Sequence, residues 1–75
     1  MLSSEQVVRE LAAYRLKLLA LGDRFAAGER SALAPEAQSC GDDLVCLMEE
    51  APLEYRKAID YLVDRYESLR VNCSS

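Results

Sequence analysis

Apolar side chains recur at alternating steps of four and three residues through most of this chain, and this period constrains its fold more than any other feature. A stripe at that spacing lies on one face of an α-helix, whereas a half-buried β-strand needs strict alternation, which is absent here. The spacing therefore predicts an all-α protein with three helices. The predicted seam residues are Val7, Leu11, Tyr14, Leu18, Leu21, Phe25, Leu44, Leu47, Tyr55, Ile59, Leu62, Tyr66 and Leu69.

The first predicted helix spans about residues 4–27. Ser3 and Gln6 have the spacing of a capping box, which places the start of the helix at the residue after Ser3. Gly28 follows the last apolar turn and predicts a left-handed C-cap.

The second predicted helix is short. Residues 28–38 are predicted to connect it to the first helix, with one turn of helix after Pro35. Ser39, followed three residues later by Asp42, predicts an N-cap and a helix over about residues 40–51. On this interpretation the acidic residues after Ser39 lie in the first turn, where the helix dipole favours negative charge.

A third helix is predicted over about residues 52–71. The residue before a proline is pushed out of the helical region, so Pro52 ends the second helix, and it suits the first position of the next. Residues 72–75 are expected to fray. The chain of 75 residues is therefore expected to form one helical domain with two long helices and a short one between them.

The helix lengths predict how the helices pack. At about 1.5 Å per residue the first and third helices span about 36 and 30 Å and the second about 17 Å, so we expect the long ones to form an antiparallel-type pair. The first helix also carries a second apolar zone, about 80–160° around from its seam. Either the other two helices cover one zone each, or the second zone meets another copy of the chain or a target protein, which predicts a dimeric helical bundle. This zone consists of Val8, Ala12, Leu16, Leu19 and Ala26.

The chain has no histidine and three cysteines, Cys40, Cys46 and Cys73. Histidine is the usual general base and the commonest metal ligand, so its absence argues against most catalytic and zinc-binding designs. Phosphate-binding loops and metalloprotease motifs are also missing. We therefore expect no enzymatic activity, no metal and no cofactor, with Cys40 and Cys46 as small buried residues and Cys73 at a frayed end.

The compartment is predicted from the same composition. The three thiols do not resemble the dense, even cysteine framework of a secreted miniprotein, and the first residues lack the basic and apolar regions of a signal peptide. No apolar run approaches the roughly 20 residues that a transmembrane helix needs. We expect a cytoplasmic protein without a membrane partner.

The negative charge of the chain is concentrated in its middle. Residues 36–50 carry five acidic side chains and no basic one, a local net charge of −5 against −4 for the whole chain. This band either is a solvated face that matches the helix dipole, or binds a basic surface of another protein. One such surface is a groove that would otherwise hold the phosphates of a nucleic acid. The candidate partner-binding residues are Asp42, Asp43, Glu49 and Glu50, together with Leu16 and Leu19 of the second apolar zone.

Direct binding of nucleic acid is not expected, since the second helix has no basic residue and the third is balanced in charge. The sequence favours a small regulatory or inhibitory protein that binds another protein, bacterial or phage-like in its brevity. The alternative is a structural oligomerisation module, that is a homodimeric helical bundle, or an adaptor subunit. A fold of this kind does not by itself separate these functions.

Overall fold

The computed structural model describes residues 2–74, apart from the side chain of Ser74. Within this range the chain forms α1 (Ser4–Ala26), α2 (Leu33–Glu50) and α3 (Arg56–Ser74), with a 3-10 turn at Leu53–Tyr55 and no strand. The predicted all-α class and the three helices are confirmed.

The start of α1 is fixed by local hydrogen bonds and by contact with the end of α2. The Gln6 backbone N–H donates to the Ser3 hydroxyl at 3.2 Å, and the Ser3 N–H donates to the Gln6 side chain at 3.0 Å, which confirms the capping box. Just before this cap, the Leu2 N–H donates to the Glu50 carbonyl at 3.1 Å. The first turn of α1 therefore lies beside the last turn of α2.

The end of α1 confirms the predicted cap at Gly28, which has a φ of +101°. The N–H groups of Gly28 and Glu29 donate to the carbonyls of Phe25 and Arg24, the bonding pattern of a Schellman motif. The Arg24 guanidinium also pairs with the carboxylates of Glu29 at 3.3 Å and Glu36 at 3.2 Å. This arginine ties the end of α1 to the first turn of α2.

The prediction for the second helix is wrong at its start, because α2 begins at Leu33 within the segment predicted to be a connection. Pro35 lies in the first helical turn, where backbone N–H groups have no partner inside the helix, so its missing N–H costs little. Ser39 does not cap a helix: it lies in the interior of α2 and is exposed. Asp42 and Asp43 are therefore in the middle of α2 rather than in its first turn.

The buried face of α2 explains why the helix starts early. The sequence predicts a stripe from Cys40 to Ala51, and the buried residues continue the same alternation of four and three steps from Cys40 toward the start of the chain. Extending the helix by two turns buries two more apolar side chains, and this outweighs the weak cap signal at Ser39. The buried stripe runs through Leu33, Ala37, Cys40, Leu44, Leu47 and Ala51.

The third helix also differs from its prediction at the start. Pro52 has extended backbone angles and precedes the 3-10 turn, so the α-helix proper begins at Arg56 rather than at the proline. The Tyr55 N–H donates to the Pro52 carbonyl at 3.1 Å, which closes this turn. The chain needs the tighter turn because it must reverse direction between α2 and α3.

The end of α3 does not fray as predicted. Residues 72–74 are helical, and Cys73 is buried with 9% of its surface exposed; Ser75 lies outside the described residues. Cys73 follows Leu69 by four residues and so extends the buried stripe of α3. Burial of this side chain favours one further helical turn.

The three helices run up, down and up, and the closest pair is α2 with α3. A Cβ atom added at Gly41 would lie 4.0 Å from the Tyr66 Cβ, which shows how near the two helices approach. The predicted pairing of the first and third helices as an antiparallel pair is wrong. At about 1.5 Å per residue α2 is about 27 Å long and matches α3, and α1, antiparallel to α2, runs parallel to α3.

The core is formed by one face of each helix. All the predicted seam residues belong to it, but they are buried to different degrees. Buried are Val7, Leu11, Leu21, Leu44, Leu47, Ile59, Leu62 and Tyr66, and partly buried are Tyr14, Leu18, Phe25, Tyr55 and Leu69.

Tyr66 is the largest fully buried side chain and joins all three helices. Its hydroxyl donates a hydrogen bond to the Tyr14 carbonyl of α1, and the two rings meet edge to face with centroids 6.5 Å apart. Burial, followed by the neighbouring Cys40 thiol of α2, raises the pKa of Tyr66 well above its usual range. The phenol is therefore held in its neutral, donating form.

Candidate protein-interaction surfaces

The outward side of α2 carries four exposed carboxylates, which we call the acidic face: Asp42, Asp43, Glu49 and Glu50. They lie three and four residues before and after Cys46, so all four surround this exposed residue on the helix surface. The helical fold thus brings together the acidic partner-binding residues that the sequence predicts.

The acidic face lies where the helix dipole does not favour it. Glu49 and Glu50 close the last turn of α2, which contains no basic residue. The carbonyl end of a helix carries partial negative charge, so carboxylates there are destabilising relative to cations. Within residues 2–74 the ion pairs use other carboxylates, namely Glu5, Glu29, Glu36 and Glu67.

A groove of about 450 Å³ separates the acidic face from α1. Asp43 and Glu50 line its α2 side, and Arg9, Glu10 and Tyr14 line its α1 side. Burial, followed by Asp43 and Glu10, raises the pKa of the Tyr14 phenol. The groove therefore extends the negative surface toward α1, with Arg9 at its rim.

The second apolar zone of α1 lies on the outside of the bundle, and we call it the outer strip: Val8, Ala12, Leu16, Leu19 and Ala26. Leu16 is 69% exposed, Leu19 67% and Val8 53%. Both α2 and α3 pack on the other seam of α1, so the expectation that each covers one zone is wrong. The outer strip has no cover within the described chain.

Four further large apolar side chains are exposed outside the predicted seam. They lie on α2, the 3-10 turn and α3, outside the apolar stripes, and single exposed residues of this kind are normal on a small protein. A search for apolar residues off the seam positions would have found them. They are Val45, Leu53, Tyr61 and Val71.

The cysteines are placed differently from the prediction. Cys40 is buried as expected, but Cys46 is exposed, and Cys73 is buried rather than at a frayed end. No group of three or more cysteine, aspartate or glutamate side chains within residues 2–74 is arranged to hold a metal ion.

Comparison with protein-family models, curated proteins and solved structures finds no match for this chain. None of the helices over residues 2–74 is both long enough and apolar enough to cross a bilayer. The acidic face and the outer strip are therefore the features of the chain that indicate a function.

Proposed function

We propose that this chain is a small non-enzymatic protein that binds a basic surface of another protein through its acidic face, and regulates or inhibits that partner by covering it. The proposed compartment is the cytoplasm, in line with the sparse and odd set of cysteines. The acidic face suits such a partner because complementary charge speeds encounter and fixes orientation.

The position of the carboxylates on α2 carries this proposal. A face that served only solubility could place its negative charges near the start of a helix, where they also stabilise it. Here Glu49 and Glu50 stand at the opposite end, and no cation balances them in that turn. Residues that break a local stability rule are typical of functional surfaces.

The chemistry of the acidic face also indicates the kind of partner. Four carboxylates along two turns of helix offer regularly spaced anionic oxygens to arginine and lysine side chains. A protein groove that holds nucleic-acid phosphates presents such side chains in a row. We therefore propose a nucleic-acid-binding protein as the target class, with the acidic face occupying the place of the phosphates.

The test exchanges the four carboxylates of the acidic face for their amides and measures two properties of the same variant. The partner is captured from source cells on the wild-type chain, and its affinity for each variant is measured at several salt concentrations. The variant D42N/D43N/E49Q/E50Q should lose partner binding by at least about 100-fold. Its unfolding free energy in urea should rise, by about 0.3–1 kcal/mol for each of Glu49 and Glu50.

A matched control changes the same number of charges elsewhere. The variant with amides at Glu54, Asp60, Asp64 and Glu67 has the same net charge but keeps the acidic face. It should bind the partner with wild-type affinity. Equal loss in both variants, binding that does not weaken with salt, or a captured partner without a basic surface would each contradict the proposal.

A second candidate function, a structural oligomerisation module, is favoured by the outer strip of α1. Monomeric proteins seldom expose a continuous apolar helix face, and such faces are typical of contacts between chains. The two functions use different surfaces and are compatible in one molecule. The oligomeric state of wild type tests the second function and does not bear on the first.

A further inference from the structure

All residues of the outer strip except Leu16 belong to a second coiled-coil seam of α1. The residues of this outer seam recur at steps of four, three, four, three and four. Each follows by one residue a member of the inner seam, which packs on α2 and α3. All six are exposed. Half of them are small, namely Ala12, Gly22 and Ala26, which lets a second helix approach closely. The outer seam consists of Val8, Ala12, Arg15, Leu19, Gly22 and Ala26.

Three exposed residues flank the outer seam on one side at intervals of seven: Arg9, Leu16 and Asp23. Arg9 precedes Leu16 by two helical turns, and Asp23 follows it by two turns, so each lies about 10 Å from Leu16 along the helix axis. This flank has a positive end, an apolar centre and a negative end. Such a pattern is complementary to its own reversed copy.

We propose that α1 packs antiparallel against α1 of a second copy of this chain, around a two-fold axis beside Leu16. An axis perpendicular to both helices brings residues at equal distances on either side of it to the same height. Leu16 then meets Leu16 of the second copy. Arg9 meets Asp23 of the second copy, and the same pair forms again at the other end.

The seam itself fits this arrangement. The seam pairs are centred on Lys17, about 1.5 Å along the helix axis from Leu16, which is within the reach of the side chains: Val8 lies opposite Ala26, Ala12 opposite Gly22, and Arg15 opposite Leu19, so that every layer joins two different residues. The Arg15 stem covers the facing leucine while its guanidinium reaches solvent at the edge of the interface.

The parallel arrangement is disfavoured by the same residues. It would place Arg15 directly against Arg15 of the second copy inside the seam, where like charges repel. It would also leave Arg9 and Asp23 about 21 Å apart along the axis. Among residues 2–74 Arg9 pairs only with the exposed Glu5 at 3.7 Å, a weak contact that leaves its guanidinium available.

This inference deepens the oligomerisation candidate, and it does not depend on the acidic face. Sedimentation equilibrium of the full chain should show a dimer with a dissociation constant below about 100 µM. Leu16→Asp should raise that constant at least about tenfold, because it puts two carboxylates together on the axis. Val45→Asp is the matched control, since it changes an exposed apolar residue of α2 and should leave the dimer intact. Circular dichroism should show wild-type helicity for both variants.

Exchange of charge tests the direction of the helices. The single variants R9D and D23R each turn both flanking attractions of the dimer into repulsions, which should weaken each homodimer about tenfold. A mixture of R9D with D23R restores both attractions in the heterodimer. The mixed dimer should therefore form with near wild-type affinity. In a parallel dimer each residue would lie level with its own copy, as like charges already do in wild type, so neither single variant would weaken it.

The outcomes separate this inference from the acidic-face function. Three results would overturn the α1 interface. The chain could stay monomeric up to about 1 mM, the dimer could keep its affinity in Leu16→Asp, or R9D and D23R could remain weak when mixed. Partner binding by the acidic face is measured on its own amide variants and can persist in a monomer. Loss of that binding together with an intact dimer would instead overturn the proposed partner function alone.

Discussion

At the scale of single residues, Tyr66 does more than fill the core. Its ring is fully buried between the helices, and its hydroxyl donates to a carbonyl that belongs to a different helix. A buried phenol must be hydrogen-bonded to avoid the cost of losing water. Tyr66 therefore fixes the position of α1 relative to α3, which apolar contact alone would leave less well determined.

The raised pKa of Tyr66 predicts a loss of stability in alkali. The phenol keeps its proton in the folded chain but releases it near pH 10 in the unfolded chain. The contribution of Tyr66 to the free energy of unfolding is therefore fully present below about pH 10, and above it falls by up to about 1.4 kcal/mol per pH unit. Tyr66→Phe should cost about 1 kcal/mol at pH 7 through the lost hydrogen bond. Urea unfolding between pH 8 and 11 should show a shallower alkaline decline in this variant. An equally steep decline would contradict the prediction.

At the scale of the helices, local signals were reliable where they agreed with burial and misleading where they did not. Ser3, Gln6 and Gly28 predicted both ends of α1, since caps and the left-handed turn act within a few residues. Ser39 suggested a helix start that the core overrides. Leu33 and Ala37, in register with the buried stripe, carried the better signal for α2.

The pairing of the helices was beyond the reach of the local pattern. The pairing depends on the length of α2, and the predicted helix was two turns too short to match α3. The same error changed the electrostatics of two of the four carboxylates: the sequence placed Asp42 and Asp43 in the first turn, which the helix dipole favours, whereas they lie in the middle of α2. The exposure of Leu16 and Leu19 was one of two open interpretations, and only the packing of α2 and α3 on the other seam decided it.

The glycines of α1 and its cap provide a prediction at this scale, because the same change should have opposite effects at two positions. Gly28→Ala should destabilise the chain by about 1–2 kcal/mol, since its φ of +101° strains any residue with a Cβ. Gly22→Ala should stabilise it by up to about 1 kcal/mol, because the helix interior prefers alanine and nothing lies within 4 Å of the added atom. Urea unfolding of both variants, at a concentration where the oligomeric state is known, measures the difference.

At the scale of the whole molecule, the two seams of α1 have different roles. The inner seam of α1 closes the core of the single chain, while the outer seam stays free for a second chain. A bundle of this size buries a small share of its surface, so an additional contact between copies adds stability that the single core lacks. The acidic face lies on α2, on the far side of the groove from the outer strip. A dimer through α1 would therefore carry two acidic faces and bind a repeated basic surface more tightly than one copy could.

Association between copies predicts that thermal stability depends on protein concentration. If folding and dimerisation are coupled, the Tm of wild type should rise by roughly 3 °C for each tenfold increase in concentration, because mass action favours the dimer over unfolded chains. Leu16→Asp/Leu19→Asp should remove this dependence while keeping helicity, since both side chains are exposed in the single chain. Val45→Asp should keep it. Thermal unfolding of wild type and the two variants, followed by circular dichroism over a hundredfold range of protein concentration, measures these effects.

A wild-type Tm that stays constant over that range would show that the outer seam adds nothing to stability. Global unfolding of the double variant at every concentration would instead assign Leu16 and Leu19 to the core of the single chain.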